Sequence, residues 1–125
     1  MTVREKALSL HAQGYNCAQS VLMAEEAFSG LEEKQAADVA VGFGGGARCG
    51  ELCGAISGAI MAAGLHYGAE NRPKADAFDR ALTAAFREKF GALRCADLKA
   101  ARIPCDDLIA FAAEKTEELL ADLTA

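Results

Sequence analysis

The most apolar segment of the chain covers residues 51–67 and reads ELCGAISGAIMAAGLHY. Residues 52–65 carry no charged side chain, which predicts a helix buried at the centre of the protein. These 14 residues are too few to cross a bilayer as a helix, since a span takes about 20. Gly54, Gly58 and Ala62 recur every four residues and form a smooth strip on one face of this helix. Because a glycine inside a helix costs about 1 kcal/mol relative to alanine, we expect a neighbouring backbone to pack closely there and offset that cost.

The rest of the composition also favours helices. Alanine occurs 28 times, whereas Val, Ile and Thr together occur 12 times, and no segment has the alternation of a strand. Capping pairs, apolar stripes and stop residues predict six helices over residues 3–13, 16–29, 31–41, 51–67, 73–90 and 104–123, with a short helical turn at 94–100. The sequence therefore predicts an all-α fold. We expect a compact bundle of five to six helices around the central one, in a single domain spanning residues 1–125.

The charge balance restricts the partners that the chain can bind. It has 13 Lys and Arg against 18 Asp and Glu, for a net charge of −5. Because phosphate groups are bound by basic surfaces, neither nucleic acid nor an acidic membrane is expected as a partner. The first residues lack the basic region and apolar run of a secretory signal, so a cytoplasmic location is expected. In that reducing compartment, clustered cysteines more often serve catalysis, redox sensing or metal binding than structural disulfides.

Cysteine is the residue type that carries the most chemical information here. The five cysteines are Cys17, Cys49, Cys53, Cys95 and Cys105. Cys17 and Cys105 each lie at a predicted helix N-terminus, where free amides and the helix dipole favour a thiolate, although Asp106 opposes this at Cys105. At Cys53 the dipole favours ionisation and desolvation opposes it, and the sequence does not rank the two effects. The chain contains no Cys-x-x-Cys, which disfavours a thioredoxin-type site, a zinc ribbon and a bacterial ferredoxin.

A glycine-rich segment precedes the central helix. Residues 42–50 hold five of the 12 glycines, which predicts an irregular loop. Gly-x-Gly-x-x-Ala from residue 42 matches a dinucleotide fingerprint by letters, but that motif needs a preceding strand and a βαβ unit. A weaker possibility is a cofactor or anion site built from loop amides beside Arg48. The candidate binding residues in this loop are Gly44, Gly45 and Gly46.

The ordered motifs of the chain resemble one known family. They are Asn-Cys-Ala-Gln at 16–19, Gly-Phe-Gly-Gly-Gly at 42–46, Gly-Glu-Leu-Cys-Gly-Ala-Ile-Ser-Gly at 50–58, and two later cysteines. This layout resembles the C_GCAxxG_C_C family of small proteins, although the block here reads Cys-Gly-Ala where the family label has Gly-Cys-Ala. The resemblance implies a redox-active protein with no settled substrate. The cysteines that match the family pattern are Cys17, Cys53, Cys95 and Cys105, whereas Cys49 lies outside it.

Three hypotheses for these cysteines stay open. In the first, they are redox thiols: one thiolate attacks a disulfide or an oxidant and a second resolves the intermediate, with a redox protein or a small thiol or disulfide as partner. Cys53 is expected to be one member, and Cys95 with Cys105 is the predicted disulfide pair. In the second, the same four thiolates bind zinc or an iron–sulfur cluster, and Cys49 adds a further ligand. In the third, the chain is a helical interaction module and the cysteines are only core residues.

The two histidines, His11 and His66, lie at the C-terminal ends of predicted helices. A cationic imidazole there interacts favourably with the helix dipole, which is the role we expect for both. His66 is also a candidate partner for a nucleophilic cysteine.

Overall fold

The computed structural model describes the backbone of residues 1–124 and the side chains of residues 1–122. These residues form eight α-helices and no strand, which confirms the all-α prediction. The helices are α1 (Val3–Ala12), α2 (Cys17–Ala24), α3 (Glu26–Ser29), α4 (Glu33–Ala40), α5 (Gly54–Tyr67), α6 (Arg72–Phe90), α7 (Cys95–Ala100) and α8 (Cys105–Thr124). Not one of the helices in this part of the chain is both long enough and apolar enough to cross a membrane.

The predicted helix starts are confirmed where a local capping box sets them. The Thr2 hydroxyl accepts from the Glu5 amide at 3.1 Å, and the Glu5 carboxylate accepts from the Thr2 amide at 2.9 Å. Asn16 and Gln19 form the same reciprocal pair at the start of α2, with both bonds at 2.9 Å. Because each box satisfies two amides that the helix itself leaves free, it fixes the first residue of the helix.

The central helix starts three residues later than predicted, at Gly54 instead of residue 51. Residues 51–53 are extended and pair antiparallel with residues 93–95. The Cys53 amide donates to the Leu93 carbonyl at 2.9 Å, and the Cys95 amide donates to the Glu51 carbonyl at 2.7 Å. Backbone hydrogen bonds from a distant segment thus replace the first helical turn, and they place Cys53 beside Cys95.

Helix α5 forms the centre of the bundle, in contact with α2, α3, α6 and α8. Apart from Ile56 and Tyr67, its buried residues are Gly or Ala, and the glycine strip is where α2 comes closest. A β-carbon on Gly58 would lie 2.5 Å from the Ala18 carbonyl oxygen, which is a backbone atom that cannot move aside cheaply. Close backbone packing on the strip, as predicted from the sequence, is therefore confirmed at Gly58.

The predicted helix over residues 16–29 is interrupted at Glu25, where the backbone (φ −92°, ψ 23°) leaves the helical region and separates α2 from α3. The Glu25 side chain is fully buried, and neither carboxylate oxygen has a hydrogen-bond partner among the described residues. Burial, followed by the nearby negative charge of Glu117, raises the pKa of Glu25 to about 8. The folded protein therefore holds a proton that the unfolded chain releases above about pH 4.5.

Two of the three α5 glycines, Gly58 and Gly64, provide a matched test of the helix packing. Gly58→Ala should lower the free energy of unfolding by about 1–3 kcal/mol, because the new methyl group collides with the α2 backbone. Gly64 lies on the same helix with nothing within 4 Å of an added β-carbon. Gly64→Ala should therefore raise the free energy of unfolding by about 0.5–1 kcal/mol, through helix propensity alone. Urea unfolding measures both; a Gly58→Ala protein as stable as the wild type would refute the close contact.

The buried carboxyl of Glu25 predicts how stability depends on pH. Since its pKa is raised in the folded state, the stability of the wild type falls as pH rises from about 4.5 towards 8. Glu25→Gln should therefore stabilise the protein by about 1–3 kcal/mol more at pH 8 than at pH 5. Glu26→Gln is the control, because Glu26 is exposed and its carboxylate pairs with Lys6 at 3.6 Å. Equal effects of Glu25→Gln at the two pH values in thermal unfolding would contradict this account.

Candidate functional site

Four of the five cysteines line one pocket with a volume of about 160 Å³. They come from separate segments: Cys17, Cys95 and Cys105 are the first residues of α2, α7 and α8, and Cys53 directly precedes α5. Each thiol thus lies at the N-terminal end of a helix. The other residues lining the pocket are His11, Asn16, Gly45, Gly54, Leu98, Lys99, Ile103 and Leu108.

The missing side chain of Gly54 is what brings α2 and α5 together at the pocket. A β-carbon at this position would collide with the Cys17 sulfur and would lie 2.8 Å from the Phe43 carbonyl oxygen. The start of α2 is also tied to the segment that follows α4, because the Asn16 side-chain amide donates to the Val41 carbonyl at 2.9 Å. Two contacts therefore place Cys17 against the base of the pocket: the close approach at Gly54 and the bond from Asn16.

The four thiols differ in their exposure to solvent. Cys53 is buried, with 3% of its surface exposed, whereas Cys17 and Cys95 are half-buried and Cys105 is exposed. The pocket thus has one thiol at its base, two on its wall and one at its mouth.

Burial dominates the ionisation of Cys53. It is the largest cause of a rise in the pKa of the thiol to about 12, and the neighbouring Cys17 and Cys95 thiols add to that rise. The amides of Ala55 and Ile56 hydrogen-bond the sulfur and oppose this rise, but they do not offset the desolvation. At Cys53, desolvation therefore outweighs the effects that favour ionisation, which the sequence alone does not rank, and the thiol is neutral.

Cys105 does not ionise more readily, although it lies at a helix N-terminus, because the effects that oppose ionisation are larger. The residue is exposed as a whole, but its thiol is partly buried in the pocket, and this burial raises its pKa. Cys17, Cys95 and Asp106 raise the pKa further, and only Lys99 lowers it.

A comparison with known protein families gives a match. The family model described as "Putative redox-active protein (C_GCAxxG_C_C)" matches residues 15–119. The chain belongs to the C_GCAxxG_C_C family. The matched range contains all four pocket cysteines. Neither the curated proteins nor the solved structures give a significant match to the chain.

The fifth cysteine, which lies outside the C_GCAxxG_C_C pattern, also lies outside the pocket. Cys49 is exposed, and its sulfur is 3.4 Å from the Gly46 carbonyl oxygen. It does not line the pocket that the other four thiols share, and its role as an additional ligand stays a prediction. Among the described residues, no three of the His, Cys, Asp and Glu side chains are arranged to hold a metal ion.

The predicted glycine loop is a left-handed turn with mainly conformational roles. Gly45 lines the pocket with a φ of 63°, and Gly46, with the same φ, lies against the backbone of Glu51. A β-carbon on Gly44 would be 2.7 Å from the Asn16 side chain. Arg48 points its guanidinium to the Val41 carbonyl at 3.5 Å and does not line the pocket. Of the three candidate binding glycines, only Gly45 lies beside the thiols, and a ligand at this loop stays a prediction.

Sequence reasoning missed two polar residues of the pocket, His11 and Lys99. His11 lies in the last turn of α1 as expected, but its Nδ1 is 2.7 Å from a carboxylate oxygen of Asp106 on α8. His66 instead contacts the Phe28 and Tyr67 rings and does not line the pocket. The position of His11 in α1 does not indicate that it lines the pocket, because its contact is with Asp106, near the other end of the chain.

The exposure and ionisation of the thiols predict their order of alkylation. At pH 8, with a pKa of about 12, only about one Cys53 side chain in ten thousand is a thiolate. Iodoacetamide should therefore modify the exposed Cys49 long before Cys53 in the native protein, whereas unfolded protein should react at all five positions. Peptide mass spectrometry over a time course measures this order. Equal native rates at Cys49 and Cys53 would show that Cys53 is not held as described.

Proposed function

We propose that the chain is a thiol–disulfide redox protein in which Cys17, Cys53, Cys95 and Cys105 exchange electrons with a disulfide. The observation that carries the proposal is the convergence of these four thiols on one pocket, in a graded series from a buried base to an exposed mouth. Membership of a family described as redox-active supports the same chemistry. The packing-only hypothesis fits less well, because packing alone does not require the sulfurs of four separate segments to line one open pocket.

The exposed position of Cys105 makes it the thiol that meets the substrate. As a thiolate, it attacks one sulfur of the substrate disulfide, forms a mixed disulfide and expels the other half as a thiolate, which takes up a proton. A wall thiol, Cys17 or Cys95, then loses its proton and attacks the Cys105 sulfur, so that the second half leaves as a thiol. Two protein thiols have become one disulfide, and the substrate disulfide has become two thiols.

The buried Cys53 acts in a second exchange within the pocket. Its neutral thiol is a poor first nucleophile. Its segment pairs with that of Cys95, and the next residue, Gly54, lies against the Cys17 sulfur, so the two wall thiols can pass the disulfide inwards. Four thiols can thus form two disulfides. The partner is a redox protein or a small disulfide whose sulfur can reach the mouth of the pocket.

The test is the intact mass of reduced, oxygen-free protein before and after incubation with 2-hydroxyethyl disulfide. Two internal disulfides remove four hydrogens, so the mass should fall by about 4 Da, apart from any mixed disulfide at the exposed Cys49, and should recover with a reductant. Cys53→Ser should limit the loss to about 2 Da, while its circular dichroism stays that of a helical protein. Cys49→Ser is the matched control and should retain the full loss of about 4 Da, because Cys49 lies outside the pocket.

Two outcomes would overturn the proposal. The first is wild-type protein that loses no mass, or that reacts only at Cys49. The second is extra mass on the oxygen-free protein that a chelator or acid removes. In that case the four thiols resist alkylation before this treatment and react after it. That result would favour the zinc or iron–sulfur alternative, for which four thiolates are a suitable donor set.

A further inference from the structure

A histidine and a carboxylate lie together at the mouth of the pocket. His11 lines the pocket, and its Nδ1 is 2.7 Å from an Asp106 oxygen. Asp106 directly follows Cys105 at the start of α8. Both side chains keep access to solvent, with 31% of His11 and 65% of Asp106 exposed. The other charged or titratable groups at this pocket are Lys99 and the four thiols.

The attack by Cys105 needs a proton acceptor. Burial and the neighbouring thiols raise the pKa of Cys105, so the thiol is protonated at neutral pH, whereas only the thiolate attacks a disulfide. Lys99 stabilises the thiolate by its charge, but an ammonium group has no lone pair with which to accept a proton. The imidazole of His11 has such a lone pair, because the Asp106 carboxylate accepts from Nδ1–H and leaves Nε2 as the acceptor.

We propose that His11 takes the proton from the Cys105 thiol and returns it to the leaving sulfur, and that Asp106 positions His11 for this transfer. The inference rests on the proposed thiol–disulfide exchange and adds its acid–base residue. A base held by a carboxylate beside a nucleophile is the arrangement that activates weak nucleophiles in many hydrolases.

The protons and electrons balance in this step. The Cys105 proton moves to Nε2 as the sulfur attacks, and the new sulfur–sulfur bond forms as the substrate bond breaks. The expelled half carries the electron pair of that bond and takes the proton from the imidazolium. His11 returns to its neutral state, and the second substrate half leaves when a wall thiol resolves the mixed disulfide.

The His11–Asp106 pair also connects α1 to α8, and the fold offers a matched control for that structural role. Arg4 on α1 and Glu114 on α8 form an ion pair at 2.9 Å, and neither residue lines the pocket. Arg4→Gln therefore removes a contact between the same two helices without touching the thiols.

The experiment measures the rate of reaction with 2-hydroxyethyl disulfide between pH 6 and pH 10, in the full chain. His11→Gln should slow the reaction about 100-fold at pH 7. The deficit should shrink as pH rises past the pKa of Cys105, since hydroxide then removes the proton. Arg4→Gln should keep the wild-type rate and pH profile, and the melting temperature of each variant verifies that it is folded.

Asp106→Asn gives the sharper discrimination. Asp106 raises the pKa of Cys105, so electrostatics alone predicts a faster reaction when this charge is removed. If Asp106 positions His11, the variant should instead be slower, by about tenfold at pH 7. Wild-type rates and pH profiles in both His11→Gln and Asp106→Asn would overturn the inference. Wild-type protein that forms no internal disulfide would overturn the proposed function itself, so the two failures can be told apart.

Discussion

The approach of α2 to α5 is the contact on which the arrangement of the site depends. It is close because Gly54 and Gly58 have no side chain: Cys17 and the Phe43 carbonyl occupy the space beside the first, and the Ala18 backbone occupies the space beside the second. Any larger residue would separate the two helices. Since Cys17 begins α2 and Cys53 directly precedes α5, the same contact brings the thiol on the pocket wall to the thiol at its base.

The other half of the pocket depends on a second long-range constraint. Residues 51–53 and 93–95 are joined by two backbone hydrogen bonds, which carry Cys95 to Cys53 and place α7 over the pocket. Helix α8 then follows α7 after a short turn and brings Cys105 to the mouth. The pocket is thus built from the ends of helices, where backbone amides have no partner within the helix. The buried helix α5 itself contributes only the absence of side chains.

Features encoded by neighbouring residues could be predicted from the sequence, and features that depend on distant contacts could not. The capping boxes at Thr2 and Asn16 fixed the starts of α1 and α2, because each involves residues three apart. The start of α5 was missed because its first turn is replaced by pairing with a segment some forty residues later. The cysteines of the pocket followed from the family pattern, whereas His11 did not, since its partner Asp106 lies at the other end of the chain. The pKa of Cys105 is raised first by burial in the pocket and then by the Cys17 and Cys95 thiols, which come from distant segments. Only the opposing charge of Asp106, the next residue along the chain, could be predicted from the sequence.

The central claim is that four thiols form one exchanging group and the fifth stands apart. It is tested most directly by the disulfide connectivity of gently oxidised protein, mapped by mass spectrometry of unreduced peptides. The account predicts disulfides only among Cys17, Cys53, Cys95 and Cys105, with Cys49 left as a free thiol. A disulfide between Cys49 and any of the other four, in protein that has stayed folded, would contradict it.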